Sequence, residues 1–424
     1  MVIDESHNLS NAETHNNRLA RVLAPNTDAL ILASATPHNG RSESFAELVK
    51  LLDPTAIVDP KDYTVADIER LFVRRHRHSP DVAAEVGHRW AERLEPEVIA
   101  VDSSPAEEAV FAELAETWVY GPVKNRLFPW TLVKAFLSSP HALIETVDNR
   151  RKSADPTERP ALDRLRVLAE QALDSAKLTA LVEHLNAIGV GKGSHTRVVV
   201  FTERLATLRW LMAALPKAMG MPADAFRMLH GGLRDDAQLA VVDEFKRADV
   251  PVRVLITGDV ASEGVNLHPH CHHLVHFDVP WSLIRIEQRN GRIDRYGQVE
   301  PPRITALALT SGHDRLSGDI RVLARLLAKE HAAHKALGDA ASLMKLHSAS
   351  AEEEHVRAAL AKGRDLDEVI PDPAGEDAWD FDELFAASGA PDAPESPEVI
   401  DGYDLFRTEL DFGWRSCGGS RASG

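Results

Sequence analysis

Residues 1–10 read MVIDESHNLS, and the first seven of them decide how the rest is read. Met1, Val2 and Ile3 run directly into Asp4, Glu5, Ser6 and His7. An apolar run that ends in two acids reads as a short strand, buried on both faces, delivering carboxylates at its C-terminal tip. A second run of the same kind, ALILAS (29–34), ends in Ser34, and the helical pattern ETHNNRLARVLA lies between the two. SESFAELVKLLDP follows, with Phe45, Leu48, Val49 and Leu52 at helical spacing and Pro54 closing the helix. Strands that alternate with helices make a parallel sheet, and such sheets hold ligands at the carboxyl ends of their strands. Asp4 and Ser34 both fall at such ends.

Outward from this block the character changes twice. Residues 91–175 carry a capped helix start, SPAEEAVFAELAETWV, and further helical stretches such as TLVKAFLSSPHALIETVDNRRK, which predict a helical insert or connector without sheet. From residue 176 the alternation resumes, with strands expected at 196–202, 226–231, 252–258, 273–278 and 304–310 and a long helix at about 319–339. The expected fold class is α/β: parallel sheets with helices on both faces, a partial first lobe (1–90), a helical insert (91–175), a complete second lobe (176–345) and a tail (346–424).

Of the net charge of −17, the stretch 351–424 contributes −13, from 19 acids against 6 Lys and Arg. The tail therefore reads as acidic, solvated and partly disordered, and the nearly balanced body leaves room for a basic cleft. Two cysteines, Cys271 and Cys417, exclude a disulfide framework and point to a reducing, cytoplasmic setting. No apolar run approaches the roughly 20 residues that span a bilayer.

Asp4 and Glu5 suit phosphoryl transfer to water. One carboxylate would hold Mg²⁺ through its water shell, and the other would act on the attacking water. Ser34 and Thr36, in ASATPHNG (33–40), could approach His7 and relay the state of a phosphate site. In EQRNGRIDRYGQ (287–298), the spacing of Arg289, Arg292 and Arg295 predicts that Arg292 and Arg295 project from one face of a short helix. Paired guanidiniums bind phosphate oxygens through a planar fork that never loses its charge.

DESH, SATP, VVVFTE, LHGGLR, GDVASEGVNL, FDVPW and EQRNGRIDRYGQ occur in the order of helicase motifs II to VI. Over residues 1–340 the chain resembles a superfamily 2 DEAD/DEAH-type ATPase of the SNF2-like branch, similar to bacterial RapA/HepA-like and phage-defence members. FVRRHRHSPDV, DSAKLTALVEHL and Pro280-Trp281 favour that branch. The resemblance implies two RecA-like lobes that close over ATP and Mg²⁺ while gripping double-stranded DNA without reading sequence. It implies catalytic roles for Asp4 (also the Mg²⁺ ligand), Glu5, Arg292 and Arg295, and nucleotide contacts from His7, Gly264 and Gln288. Glu263, Gly264 and Asn266 fall in motif V. Ser34 and Thr36 would couple hydrolysis to movement, and Arg74, Arg75, Asn266 and Trp281 would face nucleic acid.

The family's glycine-rich phosphate loop precedes motif II, and residues 1–424 contain no match to it. GVGKGS (189–194) fails the spacing, because position 186 is Asn and Gly193 stands where Ser or Thr should bind Mg²⁺. The expectation is thus the motif II-to-VI portion of a larger ATPase, inactive alone. The competing reading is a non-enzymatic regulatory or scaffold module that keeps the fold without turnover. HPHCHH (268–273) with His276 invites a zinc reading, but imidazoles so close in sequence rarely converge on one metal.

Overall fold

Val198–Phe201 is a strand of four apolar residues, every one of them buried. Val198 and Val200 pack into one core and Val199 and Phe201 into another, so the strand is covered on both faces. In the computed structural model, which describes residues 1–34, 42–73, 77, 80–86, 89–121, 127–259, 266–268, 270–313, 316–337, 344, 349–362 and 370, this strand is central to a six-stranded sheet.

The chain begins with β1 (Val2–Ile3), α1 (His15–Leu23), β2 (Ile31–Leu32) and α2 (Ser42–Leu52), and β1 pairs parallel with β2 in the register Val2↔Ile31. Thr14 caps α1 by accepting from the Asn17 amide, and the fully buried Asn17 side chain donates to the Leu9 carbonyl at 2.6 Å. Leu9, Ala20, Leu48 and Leu51 make a small core beneath this pair. The expectation that these strands are buried on both faces does not hold, because Val2 is 61% exposed and Ile31 54%. Among the described residues this sheet has two strands only, too few to bury a face by themselves.

Two short helices, α3 (Val65–Ile68) and α4 (Pro80–Val86), precede the second sheet. That sheet comprises β3 (Glu97–Asp102), β4 (Val198–Phe201), β5 (Phe226–Leu229), β6 (Val254–Thr257), β7 (His273–His276) and β8 (Arg303–Thr310). All pairs are parallel, in the order β3-β8-β7-β4-β6-β5. The chain winds from β4 outward to β5, returns to β6, and then crosses to β7 on the other side of β4. Helices α9 (Ala176–Ala187) and α10 (Leu205–Ala218) cover one face, with Leu181, Leu185, Leu208, Leu211 and Leu215 fully or almost fully buried. Helices α11 (Asp235–Lys246), α12 (Leu283–Asn290) and α13 (Ser317–Leu337) contribute to the core on the other face. This is a RecA-like lobe, and all five strands expected after residue 176 lie within it.

The stretch 91–175 is not purely helical. Glu97–Asp102 is the edge strand β3, paired with β8 from Glu97↔Thr305 to Asp102↔Thr310. Only Val101 of its six residues is buried, so its apolar signal is diluted by the acids at its ends, and pairing with β8 makes it a strand. The second lobe therefore gathers its first strand from well before residue 176. The described remainder of 91–175 is helical. Ser104 and Glu107 form a capping box for α5 (Pro105–Glu113), which runs on as a π-helical turn, Leu114–Val119. Then come α6 (Phe128–Ser138), α7 (Pro140–Arg151) and α8 (Arg159–Gln171). Phe111 meets Phe136 edge to face at 4.8 Å in the same core that backs the sheet. Lys177, fully buried at the start of α9, locks insert to sheet by donating to the Leu137 carbonyl at 2.7 Å and to that of Phe277. Burial pushes its amine down to about 8.

The tail is also not wholly solvated. Ala349–Ala361 forms α14, with Glu352, Val356, Ala359 and Leu360 buried against the second lobe. Its acids misled the reading by composition, because one of them faces inward. Leu360→Ala should accordingly lower unfolding free energy by about 2–3 kcal/mol through lost burial and a residual cavity. Glu354→Ala, on the exposed side of the same helix, should change it by less than about 0.5 kcal/mol. Equal, negligible effects in urea melts would return α14 to the solvated tail.

Candidate active site

At the first strand end, Ala33 N donates to the Ile3 carbonyl and Ser6 N donates to the Ala33 carbonyl, both at 2.9 Å, so the two exits from β1 and β2 are tied together. Glu5 sits between these bonds at φ 50°, ψ 44°, the one positive-φ non-glycine residue among the described residues. A side chain in that region costs roughly 1 kcal/mol or more, and it persists only where its surroundings impose it. The consequence is geometric. The turn swings Glu5 back so that its carboxylate lies 3.3 Å from His7 Nδ1, which in turn lies 3.1 Å from Ser34 Oγ. Asp4 Oδ1 accepts from the Glu5 amide at 2.9 Å. Asp4, Glu5, His7 and Ser34 are thus brought together. Thr36, Arg74, Arg75, Glu263 and Gly264 lie outside the described residues.

In the second lobe, three acids stand just past the ends of the central strands: Glu203 after β4, Asp259 after β6 and Asp278 after β7. This is the crevice where doubly wound sheets bind ligands, but here the protein's own cations fill it. Arg289 is 1% exposed; its Nε meets Asp259 Oδ1 at 2.5 Å, its Nη1 donates to the Asp278 carbonyl at 2.9 Å, and its guanidinium faces the Phe201 ring at 5.4 Å. Arg285 reaches Asp259 at 3.2 Å, Glu353 at 3.2 Å and Glu203 at 3.6 Å, while Lys134 reaches Glu203 at 2.9 Å. The cavity left beside Lys134, Lys177, Glu203 and Asp278 is 30 Å³, room for about one water. Burial pushes the Glu203 carboxyl up despite Lys134, whereas Arg289 and Arg285 overcome burial and hold Asp259 below the usual range.

Helix α12 begins at Ser282, whose Oγ accepts from the Arg285 amide, and ends at Asn290. Gly291 follows as the C-cap at φ −61°, ψ −7°, its amide donating to the Glu287 carbonyl at 2.8 Å. Arg292 and Arg295 therefore lie beyond the helix, in a turn closed by bonds from the Ile293 and Asp294 amides to the Asn290 carbonyl. Their three-residue spacing does not place them on a helical face. The sequence pattern held the helical period past the end of α12. Arg292 is 5% exposed, with Nε donating to the Gln288 carbonyl at 3.1 Å, and its own carbonyl accepts from the Leu267 amide at 3.0 Å. That bond joins the end of motif V, including Asn266, to the arginine turn. Gln298 pins the turn from inside, donating through Nε2 to the carbonyls of His268, Cys271 and Ile293. Gln288 is exposed on α12. Arg295 is half-buried, and among the described residues it pairs with no carboxylate.

Trp281 is not a surface for nucleic acid. It is 2% exposed, meets Trp130 of α6 edge to face at 6.2 Å, and lies 5.7 Å from Lys134 Nζ. Its ring packs the insert onto the second lobe, a use that the Pro-Trp motif does not reveal. The His/Cys run serves the core. Cys271 is buried, its thiol pushed up to about 12 by burial, and His276 Nε2 meets Asn290 Oδ1 at 3.0 Å beneath Arg289. Asp259, Asp278, Glu203 and Glu352 were missed as site residues. Glu203, Asp259 and Asp278 stand inside the quoted motifs VVVFTE, GDVASEGVNL and FDVPW, and Glu352 has no sequence signal at all.

Residues 176–297 match the family model described as the helicase conserved C-terminal domain. That match assigns the helicase C-terminal domain to residues 176–297. Over 380 residues it is 25% identical to a Bacillus subtilis protein named as an uncharacterized ATP-dependent helicase, YqhH, covering 84% of this chain and 63% of that one. The chain thus spans less than two thirds of that relative's length. Among solved structures it is similar to the Pyrococcus furiosus Hef helicase domain (19% identity, 74% of this chain, 71% of the other, TM-score 0.42). It is also similar to a Sulfolobus solfataricus SWI2/SNF2 ATPase core in complex with dsDNA (15% identity, 87% and 72%, TM-score 0.35). Likeness at that level bears on neither substrate nor mechanism. Among the described residues no helix is long and apolar enough to cross a membrane.

The fully buried His276 yields a pH dependence. Burial first, then Arg289, lowers its pKa to about 3. Because the unfolded chain takes up this proton near pH 6.5, the stability that His276 contributes is whole above that pH. It declines as pH falls toward 3, by about 1.4 kcal/mol per unit. Urea melts at pH 7, 6 and 5 should show His276→Gln losing this part of the slope. An unchanged slope would show that His276 is protonated in the fold.

Proposed function

We propose that this chain carries the motif II-to-VI machinery of an ATP-dependent translocase that moves along double-stranded DNA. The observation that carries the reading is the contrast among the arginines of α12 and its turn. Arg285 and Arg289 are neutralised by Asp259 and its neighbours, whereas Arg295, on a turn bonded to motif V, meets no carboxylate among the described residues. A guanidinium held in place without a countercharge is suited to an anion that arrives later.

On this reading Asp4 and Glu5 divide the work at the γ-phosphate. Their paired carboxylates are hard oxygen donors of the kind Mg²⁺ takes through its waters, and Asp4 would hold it. Mg²⁺ would supply charge neutralisation at the β- and γ-phosphates. Glu5, aimed by its left-handed backbone, would orient the attacking water. His7, between Glu5 and Ser34, would pass the state of that site to the strand exit that continues toward Thr36. Arg292 and Arg295 would meet the γ-phosphate when the lobes close, and Gln288, Gly264 and Asn266 would line the nucleotide and nucleic-acid side of the second lobe. Arg74 and Arg75 would contact the DNA backbone, where phosphate charge and not base identity sets affinity.

Residues 1–424 include no phosphate-cradling loop, so this chain alone should show no DNA-stimulated ATP turnover. In a form extended ahead of residue 1 by a lobe that carries such a loop, Arg295→Ala should cut kcat by roughly 10³ with little change in ATP affinity, the scale of a lost arginine finger. Arg295→Lys should recover part of it. Near-normal turnover with collapsed DNA affinity would move Arg295 onto the nucleic acid. Turnover absent even with the loop restored would favour a regulatory module.

The acidic stretch after α14 gives a second test. Residues 363–424 hold 16 acids against 4 Lys and Arg. Removing them should tighten DNA binding at low salt, measured by fluorescence anisotropy, because like charge raises the cost of approaching phosphates. Weaker binding after removal would make the tail a contact element.

A further inference from the structure

Asp294 stands between Arg292 and Arg295, and the catalytic reading above gives it no task. Its side chain is 2% exposed and lies where three parts of the molecule meet. Oδ1 accepts from Trp90 Nε1 at 2.9 Å and from Arg77 Nη1 at 3.2 Å. On its other oxygen, His334 Nε2 of α13 approaches to 3.4 Å and Arg93 Nε to 3.9 Å. Arg77 is itself fixed: its Nη2 donates to the Trp90 carbonyl at 2.7 Å and its guanidinium stacks over the Trp90 ring at 4.8 Å. Arg93 is held by a bidentate pair with the buried Glu330 of α13, at 3.0 and 3.1 Å.

Arg77, Trp90 and Arg93 belong to the segment that connects the first-lobe residues to β3. That segment also runs along the arginine turn by backbone bonds. Gly297 N donates to the Arg89 carbonyl at 3.2 Å, Ala91 N to the Gln298 carbonyl at 2.8 Å, and Leu94 N to the Pro302 carbonyl at 3.0 Å. The Asp294 amide, in turn, donates to the Asn290 carbonyl at the end of α12. The carboxylate is therefore the side-chain link in a continuous path from connector to turn, and it has one residue or fewer between itself and each arginine.

We propose that Asp294 is a positioning residue that couples the interlobe connector to the arginine turn, so that any shift of Arg77 and Trp90 is carried to Arg292 and Arg295. A short side chain with two rotatable bonds, bonded at once to an indole and a planar fork, transmits displacement with little slack. What the displacement accomplishes rests on Arg292 and Arg295 acting at a phosphate; the coupling itself does not.

Hydrogen–deuterium exchange on the full 424-residue chain, without nucleotide, tests the coupling apart from that reading. Arg77→Ala and Asp294→Asn should each speed exchange of amides 292–298 about tenfold, the scale of one lost charge-assisted bond, while β4 and β6 keep their protection. The double variant should exchange no faster than either single one, because both remove the same link. Arg77→Lys should restore part of the protection. If Asp294→Asn fails to fold, Trp90→Phe removes only the indole donor and should act in the same direction. Wild-type exchange of 292–298 in Arg77→Ala, additive effects in the double variant, or uniform loss through β4 and β6 would overturn the proposal. None of these results bears on the kcat of Arg295→Ala, so the two readings fail separately.

Discussion

The buried guanidinium of Arg289 holds the second lobe's working end together. It joins Asp259 beyond β6 and Asp278 beyond β7 from a position on α12. An arginine taken out of water at 1% exposure loses its hydration, and only close carboxylates and carbonyls compensate that loss. Because those partners stand at the ends of different strands, satisfying the charge fixes where α12 sits relative to the sheet. The turn with Arg292 and Arg295 begins one residue after α12, so its location follows. Removing Asp259 alone would leave a buried charge without its main partner, which is why such groups are destabilising to cut singly.

At the same end of the sheet, the described acids of the crevice are met by the protein's own cations. Glu203, Asp259 and Asp278 would attract a cation or a basic ligand, yet Arg285, Arg289 and Lys134 already occupy the space. Helix α14 completes the closure from the C-terminal side. Glu352 accepts from Ser282 Oγ at 2.6 Å and from the Ile284 amide at 3.1 Å, placing a carboxylate at the N-terminus of α12, where the helix dipole favours it. Glu353 pairs with Lys134 and Arg285. Among the described residues, Arg285 and Arg289 on the helix are paired with acids, whereas Arg295 on the turn beyond α12 pairs with no carboxylate.

Much of the site was legible because its chemistry is local. Asp4, Glu5 and His7 fall within four consecutive residues, so a single strand-to-turn exit delivers them together, and Ser34 follows from the parallel neighbour strand. The arginine turn was legible as residues but not as geometry, since α12 ends at Asn290 while the spacing runs on. Trp281 and Glu352 were misread for a common reason. Each takes its role from a partner far along the chain, Trp130 in one case and Ser282 in the other.

By itself the sequence determined the α/β class, the order of the motifs and the strands from residue 198 onward. Apolar runs without polar interruption admit few other structures, and acids at their ends announce themselves. Tertiary structure decided which charges remain available. Arg285, Arg289 and Arg295 look alike in the chain, and only packing pairs the first two with Asp259. It also decided that Glu97–Asp102 is a strand, that Ala349–Ala361 belongs to the lobe, and that Asp294 faces the connector. An edge strand, a docked acidic helix and a buried carboxylate are each defined by a partner dozens to hundreds of residues away. Such a partner leaves no mark on local periodicity or composition.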